Sequence, residues 1–370
     1  MKIAIMGAGL SGLACALTLE KHGIEPTIFE KRSKVGDRFV NGEVLLSMFV
    51  HPVHDCIASL SDQYGLFLQP TAPVQKLTIH SQRETAVIEG ALGFHNIRGR
   101  HEESFEAQLE RQVHSKISYD SDMTYEDLVK QYTHVVLATG DSDYAKRNRN
   151  FREDLTVSIS GATVEGRFDR YEAQTWLDYA IAPHGYGYLI PFSETEANVV
   201  VALPDQPGMA ISCEEELRRI WDAIYKKVQG YLGQELPVTD RFQIRGYPMG
   251  ICQSARVGNT FYVGNNFGSM MPFLGFGQYN ALLTGVYAAY DLCGLGSYEQ
   301  LSEPLRKSYE HSLVLRRAME SVSDEGLDRI VHLLSGRLGN KLLLANALNP
   351  MKLASYLLRP YIKWKQGATT

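Results

Sequence analysis

The opening stretch, MKIAIMGAGLSGLACALTLEKHGIEPTIFEK, constrains the fold of this 370-residue chain more than any other segment. The apolar run KIAIM suits a buried parallel strand, and three glycines in GxGxxG spacing follow it. A helix-like segment then ends at Gly23, and PTIFE predicts a second strand that closes with Glu30. Strand, glycine turn, helix, strand and acidic residue stand in the order of a dinucleotide-binding βαβ unit.

Each residue of the glycine turn has a physical role in holding a dinucleotide. We expect Gly7 to allow a tight turn and Gly9 to let the backbone approach a pyrophosphate. Gly12 would let the helix pack closely on the strand. Leu10 and Ser11 stand within this glycine turn, and we expect them to bind the cofactor where the helix N-terminus offers unpaired N–H groups to phosphate.

The acidic residue after the second strand narrows the choice of dinucleotide. Glu30 is placed to accept a hydrogen bond from an unphosphorylated ribose, so FAD or NAD fits better than NADP. The basic loop KRSKVGDR follows it. We expect Lys31 and Arg38 to meet phosphate or to shape the cofactor's entrance, and a solvated basic loop is the alternative.

The nucleotide-binding sheet is predicted to be visited three times by the chain. THVVLATG forms an apolar strand that ends at Thr139 and Gly140, and residues 260–263 predict another strand. Strand-rich and irregular segments separate these visits. Such a layout is typical of FAD-binding domains of the glutathione-reductase type, in which the intervening segments build a substrate domain.

The third visit leads into VGNNFGSMMPFLGFGQYNALLTG, residues 263–285. With these landmarks the chain resembles the p-hydroxybenzoate hydroxylase-like flavoprotein superfamily, and within it the geranylgeranyl reductase family. There this landmark reads GDAAG, a proline, GxG and a helix, and the family's GEGIYYAL is matched here by GFGQYNAL. The resemblance implies flavin contacts by Gly264, Asn265, Pro272, Gly275, Phe276 and Gly277, with Asn265 where the family has Asp.

The same resemblance implies further cofactor contacts and FAD as the cofactor. Thr139 and Gly140 match the superfamily's ADG or ATG element near the adenine-side phosphates. An arginine before the helix near residues 105–109 contacts the cofactor in that superfamily. Arg98 and Arg100 both stand at this place, and we expect Arg100 to be the counterpart.

A second family signature falls on the predicted substrate side. PHGYGYLIP, residues 183–191, resembles PxxYxWxFP, with Tyr188 for Trp and Ile190 for Phe. In that family the signature strand lines a pocket for a long isoprenoid chain. The resemblance implies substrate contacts by Tyr186, Tyr188, Ile190, Pro191 and the third landmark's Phe273. The alternative is an ordinary sheet with aromatic core residues.

The predicted fold is α/β: a glutathione-reductase-type FAD-binding Rossmann-like domain, interrupted by an α+β substrate domain with a mainly antiparallel sheet, plus a C-terminal helical region. Residues 1–75, 95–150 and 255–295 are expected to form the FAD-binding domain. Residues 76–94 and 151–254 would form the substrate domain, and residues 296–370 the helical region.

The expected function is that of an FAD-dependent oxidoreductase, which reduces carbon–carbon double bonds of an isoprenoid or other lipid-like substrate through reduced flavin. No catalytic residue is identified, and the reductant is either NAD(P)H or a redox protein. A flavin monooxygenase acting on an aromatic or apolar compound with NAD(P)H and oxygen is the first alternative. A non-catalytic lipid-binding protein of the same fold is the second.

The composition and motifs of the chain argue against several other classes of protein and of site. No apolar run is long enough for a membrane-spanning helix, and five scattered cysteines favour reduced thiols in the cytoplasm. Pro52 separates His51 from His54, and no further ligands stand nearby, so we expect no metal site. No nucleic-acid motif is present, so we expect no nucleic-acid partner.

The C-terminal segment differs in charge from the rest of the chain. From Arg329 onward there are seven Lys or Arg and no Asp or Glu, so the remainder carries −12. Pro350 and Pro360 are expected to divide its last part into short helices. We expect these helices to cap the acidic body, and peripheral contact with an anionic membrane stays open beside that cap.

Overall fold

A computed structural model of the protein describes residues 1–205, 213–336 and 350–367. The strands are β1 (Ile3–Met6), β2 (Thr27–Phe29), β3 (Val40–Leu46), β4 (Ala72–His80), β5 (Thr85–Gly99), β6 (Ile117–Ser118), β7 (His134–Leu137), β8 (Phe151–Glu165), β9 (Glu172–Trp176), β10 (Tyr186–Pro191), β11 (Glu196–Pro204), β12 (Val238–Cys252), β13 (Arg256–Val257) and β14 (Thr260–Tyr262). The helices are α1 (Leu10–Lys21), α2 (Cys56–Tyr64), α3 (Phe105–Glu110), α4 (Tyr125–Gln131), α5 (Asp143–Arg147), α6 (Glu214–Leu232), α7 (Gln278–Leu292), α8 (Tyr298–Glu320), α9 (Asp324–Leu334) and α10 (Pro350–Gly367).

The strands form two sheets, and the first is the predicted nucleotide-binding sheet. Its order is β13-β14-β7-β1-β2-β6, and every pairing is parallel except the edge pair of β13 with β14. The chain therefore enters this sheet near its N-terminus, again at β6 and β7, and last at β13 and β14. Because parallel strands end at one edge, the turns that follow β1, β7 and β14 are brought together.

The second sheet is larger and mainly antiparallel, as predicted for the substrate domain. Its order is β12-β8-β11-β10-β9-β4-β5-β3, and only the pairing of β4 with β9 is parallel. Helix α6 covers one face, where the buried Trp221 indole donates to the Val199 carbonyl at 2.9 Å. Strand β3 and all of β5 belong to this sheet, although the predicted division gave β3 and residues 95–99 to the FAD-binding domain.

Helices α1 and α7 cross on the first sheet at very short range. A Cβ atom at Gly285 would lie 2.1 Å from the carbonyl oxygen of Ser11. Glycine at this position therefore lets the two backbones touch. The crossing fixes the start of α1 against the segment that follows β14. It therefore holds the glycine turn after β1 next to that segment.

The C-terminal helices extend from the first sheet toward its junction with the second. α8 packs on α7, and α10 packs on α8, where the Ser355 hydroxyl is 2.7 Å from Nδ1 of His311. The prediction that Pro360 divides this segment is wrong, because Pro360 lies inside α10. A proline removes only one helical N–H donor, and helices pass through such positions with a kink. The predicted helical residues 340–349 lie outside the described part of the chain.

The predicted fold class is confirmed by this architecture. A parallel Rossmann-like sheet, an inserted antiparallel sheet and C-terminal helices are all present. Within the three described ranges, no helix has the length and apolarity needed to cross a membrane.

Candidate functional site

The first glycine turn has two crowded glycines and one open glycine. A Cβ at Gly7, whose φ is 111°, would lie 2.5 Å from the Ala138 carbonyl oxygen. A Cβ at Gly12 would lie 2.0 Å from the Gly7 carbonyl oxygen. A Cβ at Gly9 would meet nothing within 4 Å. The turn therefore needs Gly7 and Gly12 for its own packing, whereas Gly9 borders open space at the N-terminus of α1.

Glu30 lies against this turn at the end of β2. Its Oε2 accepts from the backbone N–H of Ala8 and its Oε1 from that of Arg32, both at 2.9 Å. A carboxylate has about four acceptor positions, so capacity remains for a ribose hydroxyl. Lys31 is exposed, and the Arg38 guanidinium carbon lies 5.5 Å from the ring centre of Tyr247.

Side-chain amides of the segment after β14 bond the backbone and side chains of the turn after β7. Nδ2 of Asn266 donates to the hydroxyl of Thr139 at 2.8 Å and to its carbonyl at 3.1 Å. Nδ2 of Asn265 donates to the Gly140 carbonyl at 3.2 Å and to the Tyr247 hydroxyl at 2.7 Å. An aspartate at position 265 could donate neither of these hydrogen bonds, because a carboxylate has no proton to donate.

Tyr247 is a residue of this site that the sequence analysis missed. It stands on β12 in the second sheet, and its hydroxyl donates to the Gly140 carbonyl at 2.5 Å. Burial raises the pKa of Tyr247, so its hydroxyl stays protonated near neutral pH. No local motif marks this tyrosine, and only the folding of β12 back over the first sheet brings it to Asn265.

The third landmark forms a further glycine-rich turn, here called the third turn, which spans residues 264–277 and ends at the start of α7. Gly275 is exposed with a φ of 73°, and its nearest neighbour is the Tyr186 hydroxyl, 3.7 Å from a Cβ placed there. A Cβ at Gly277 would lie 2.7 Å from the Ser269 carbonyl oxygen. Pro272 is buried beside them. The turn thus exposes glycine backbone at a helix N-terminus, where N–H groups and the helix dipole favour an electron-rich group.

The predicted substrate residues come together above this turn. The Tyr186 hydroxyl donates to the Leu274 carbonyl at 2.5 Å, and the Tyr188 hydroxyl donates to Oδ1 of Asn41 at 3.1 Å. Phe276 stacks on Phe49 with ring centres 4.2 Å apart. The side chains of the surrounding group, here called the aromatic cluster, are those of Val44, Leu46, Met48, Phe49, Val74, Tyr188, Ile190 and Phe276, with others of β4, β5 and β9.

The remaining predicted residues lie at the rim of the aromatic cluster. The ring centre of Phe273 is 6.4 Å from that of Phe49, and its N–H donates to the Ser312 hydroxyl at 2.8 Å. The Pro191 carbonyl accepts from Nδ1 of the buried His95 at 3.2 Å. Burial lowers the pKa of His95 to about 4, so this imidazole is neutral.

A polar network stands at the other side of the third turn. Gln278 donates to the Glu43 carboxylate, and Arg98 reaches Glu106 at 2.7 Å and Glu43 at 3.4 Å. Burial acts to lower the pKa of Arg98, but the two carboxylates outweigh it and raise that pKa. Arg100, the expected counterpart of the family arginine, instead donates to Asp240 of β12 at 2.6 Å.

Two buried acceptors of the site have no hydrogen-bond partner among the described residues. They are Oδ1 of Asn266 and Oε1 of Gln278, and their residues are 0% and 4% exposed. Such an atom costs about 1–3 kcal/mol when left unpaired. A bound group with N–H or O–H donors would satisfy them, which fits a dinucleotide cofactor lying between the first and third turns.

The two histidines considered for a metal lie apart from this site. The ring centres of His51 and His54 are 6.4 Å apart, on the segment before α2. The described ranges hold no cluster of three or more His, Cys, Asp or Glu side chains suited to a metal ion.

Comparison with known proteins connects this geometry to flavin-dependent proteins. The sequence profile of the NAD(P)-binding Rossmann-like domain matches residues 5–56. Over 80 residues the chain is 32% identical to the putative flavin-containing monoamine oxidase AofH of Mycobacterium tuberculosis. That match covers 20% of the chain and only 17% of the relative's length.

Solved structures match over nearly the whole chain. A geranylgeranyl bacteriochlorophyll reductase-like protein from Thermoplasma acidophilum superposes with a TM-score of 0.73 at 15% identity, covering 100% of this chain and 99% of that one. The flavin-dependent brominase Bmp2 gives 0.70 at 12% identity, covering 99% of each chain. A flavoprotein/dehydrogenase from Cytophaga hutchinsonii gives 0.63 at 15% identity, covering 97% and 98%.

At these identities the superpositions establish the fold alone. The superpositions extend over nearly the whole chain, so the likeness includes both sheets and the helices that follow them. The predicted resemblance is confirmed at the level of the fold, which this chain shares with a geranylgeranyl bacteriochlorophyll reductase-like protein and with a flavin-dependent brominase.

Proposed function

We propose that the protein binds FAD and reduces carbon–carbon double bonds of an apolar, isoprenoid-like substrate. One observation carries this proposal: the glycine turn at the start of α7 lies directly against the aromatic cluster. Phe276 belongs to both, since it stands between Gly275 and Gly277 and stacks on Phe49. A cofactor held along the glycine turns would therefore end next to the apolar side chains of this cluster.

The proposal of FAD rests on the residues that surround the turns. Gly9 leaves room for a pyrophosphate, Glu30 retains acceptor capacity for a ribose, and Asn266 and Gln278 offer unpaired acceptors. The flavin named for AofH and for the brominase agrees with this cofactor. When bound, FAD would supply the hydride, and the chain's residues would orient it and exclude water.

The proposal of an apolar substrate rests on the bonds made by the hydroxyls of Tyr188, which belongs to the cluster, and of its neighbour Tyr186. Tyr186 and Tyr188 both donate to protein acceptors, namely the Leu274 carbonyl and Asn41. Burial raises the pKa of each tyrosine, so both hydroxyls stay neutral and committed to these bonds. Their rings and the side chains of Phe49, Ile190 and Phe276 therefore present hydrocarbon, which suits a lipid chain better than a polar ligand.

The reductant and the setting of the reaction follow from the same proposal. The sequence has no second GxGxxG motif for a resident nicotinamide, so NAD(P)H would visit transiently or a redox protein would deliver electrons. An isoprenoid lipid is dissolved in membranes, so peripheral membrane contact of an otherwise cytoplasmic protein belongs to this proposal.

The first test is whether the purified chain carries flavin. We expect the absorbance spectrum of bound FAD, or its appearance when FAD is added to the protein. A colourless protein that does not take up FAD would contradict both enzymatic proposals. It would leave the non-catalytic lipid-binding protein as the function to pursue.

The second candidate function is monooxygenation. The similar fold of a flavin-dependent brominase supports it as an alternative to reduction. Reduced protein is mixed with a polyprenyl diphosphate or alcohol, with and without oxygen, and the product mass is measured. A product that gains a pair of hydrogens without oxygen supports reduction. A product that gains an oxygen atom only in air would replace our proposal by the monooxygenase.

The role of the aromatic cluster has its own test in Tyr188→Ala. We expect KM for the isoprenoid to rise while FAD affinity is unchanged, because Tyr188 lies in the cluster and bonds Asn41 rather than a glycine turn. Tyr231→Ala is the matched control, since Tyr231 is 51% exposed on α6. Equal effects of the two substitutions on KM would remove the cluster from the substrate site.

A further inference from the structure

The outward face of α10 is apolar, where a solvated helix would be polar. Leu353, Tyr356 and Leu357 are 43%, 51% and 73% exposed, and Leu357 is the most exposed large apolar side chain in the described ranges. Their spacing places them on one side of the helix. The opposite side holds Ser355, which is fully buried against α8 and bonded to His311.

The contacts on the inner side of α10 explain why the helix packs on α8. They do not explain why the side chains on its outer side are apolar. Packing on α8 uses Ser355 and the edge of Tyr356, whose ring centre is 5.1 Å from that of His311. Helices that only cap a domain expose charged and polar residues to water. Here the exposed side offers leucine instead, so a surface partner for this face is expected.

The charge around this face selects the class of partner. Lys352 is exposed beside Leu353, and the guanidinium carbon of Arg359 is 5.4 Å from the ring centre of Tyr356. The sequence from Arg329 onward contains no acidic residue. An apolar helix face flanked by cations is suited to the surface of an anionic bilayer, where leucine enters the acyl boundary and the cations meet headgroups. The same face on a second copy would bring like charges together.

The position of α10 relates this face to the candidate site. The helix contacts the 3₁₀ turn Ser47–Phe49, and Phe49 stacks on Phe276 of the aromatic cluster. We propose that the face of α10 formed by Leu353, Tyr356 and Leu357 docks on an anionic lipid surface, which sets the aromatic cluster beside the membrane. A role of this docking in catalysis rests on the proposed function, but docking itself needs neither flavin nor substrate.

The test is sedimentation of the full-length protein with vesicles. Vesicles of phosphatidylcholine alone are compared with vesicles that also contain phosphatidylglycerol, at low and at high salt. We expect binding to the anionic vesicles only, weakened by salt. Arg359→Gln should weaken it about five-fold, as expected for one cation near an anionic surface.

A pair of matched variants isolates the apolar contact. Leu357→Asp should weaken vesicle binding at least about ten-fold, because leucine no longer enters the lipid. Leu295→Asp is the control, since Leu295 is 58% exposed between α7 and α8, and its binding should equal that of the parent. Both substitutions are at exposed positions, so thermal unfolding of each should match the parent.

Three results would overturn the inference. The first is failure of the parent to bind anionic vesicles, and the second is equal binding to neutral vesicles. The third is equal loss in the Leu295 and Leu357 variants. Light scattering without lipid adds a further check, because a dimer that Leu357→Asp dissociates would assign this face to a second copy of the chain. Failure of the parent protein to bind anionic vesicles, while it still takes up FAD and turns over substrate, would refute docking and leave the proposed function standing.

Discussion

The first and third glycine turns come from similar sequence patterns, yet the structure holds them in different ways. In the first turn, Gly7 and Gly12 are crowded by the backbone of Ala138 and by Gly7 itself. In the third turn, Gly264 and Asn265 are placed by side chains from distant parts of the chain, including Tyr247. Gly7 and Gly12 are therefore fixed by backbone contacts, whereas the position of Asn265 depends on the side chain and carbonyl that it bonds.

This difference explains why the third landmark tolerates a departure from the family pattern. The position of Asn265 is set by the two bonds that its amide donates, to the Gly140 carbonyl and to the Tyr247 hydroxyl, and a carboxylate could donate neither of them. A change at one member of this network can be matched by a change at another. In the first turn the closest contacts of Gly7 and Gly12 are with backbone atoms, so no change of a neighbouring side chain could relieve them.

The largest expected effect comes from breaking the backbone contact of the first turn. Gly12→Ala places a Cβ 2.0 Å from the Gly7 carbonyl oxygen, so strand and helix must separate. We expect a loss of about 3–5 kcal/mol in the free energy of unfolding, measured by denaturant titration. Gly230→Ala, in α6 where a Cβ meets nothing within 4 Å, is the control and should be neutral or stabilising. Similar losses in both variants would refute the argument.

The next effect separates ligand binding from stability within the same turn. Gly9→Ala adds a methyl where nothing lies within 4 Å, at a φ of −87° that alanine adopts readily. The free energy of unfolding should change by less than about 0.5 kcal/mol. FAD affinity, measured by flavin fluorescence titration, should fall at least about ten-fold, which is about 1.4 kcal/mol. Unchanged affinity would show that the cofactor does not pass over Gly9.

In the third turn, Tyr247→Phe is expected to lower stability less than Gly12→Ala does in the first turn. The phenol donates to the Gly140 carbonyl and accepts from Asn265, and both bonds are buried or half-buried. Their loss should lower the free energy of unfolding by about 1–2 kcal/mol. Tyr231→Phe, at a side chain that is 51% exposed, should leave it unchanged. Equal stability of the two variants would mean that Tyr247 does not position the third turn.

The comparison of the turns also shows what could be predicted from the sequence. The βαβ unit, the three visits to the parallel sheet and the antiparallel insertion follow from local patterns of glycine and apolar residues, and these predictions are confirmed. The positions of Gly7, Gly9 and Gly12 in one turn also follow, because their contacts lie within the unit or on the neighbouring strand β7.

Other features of the site depend on contacts between residues far apart in sequence. Tyr247 is 18 residues from Asn265 and 107 from Gly140, and a bulged register of β12 on β8 brings it there. The pairing of β3 with β5 also joins residues far apart in sequence. The domain boundaries predicted from the sequence did not take this pairing into account. The apolar outward face of α10 could be read only after α8 showed which side is buried.

The last comparison restores the family residue at the third turn through Asn265→Asp, and it is read in the flavin potential instead of in stability. The carboxylate would face the Gly140 carbonyl without a donor, and the Tyr247 hydroxyl would turn to donate to it. The added negative charge should disfavour reduction, so the potential of bound FAD should fall by roughly 30 mV, equivalent to about 1.4 kcal/mol.

Asn265→Ala is the control that separates charge from hydrogen bonding in this experiment. It removes the same two donors but adds no charge, so the potential should stay within a few millivolts of the parent. An equal fall in both variants would assign the effect to the lost bonds. A rise in Asn265→Asp would contradict the electrostatic argument outright. If only the aspartate lowers the potential, this chain's asparagine tunes its flavin toward easier reduction while Tyr247 holds the turn in place.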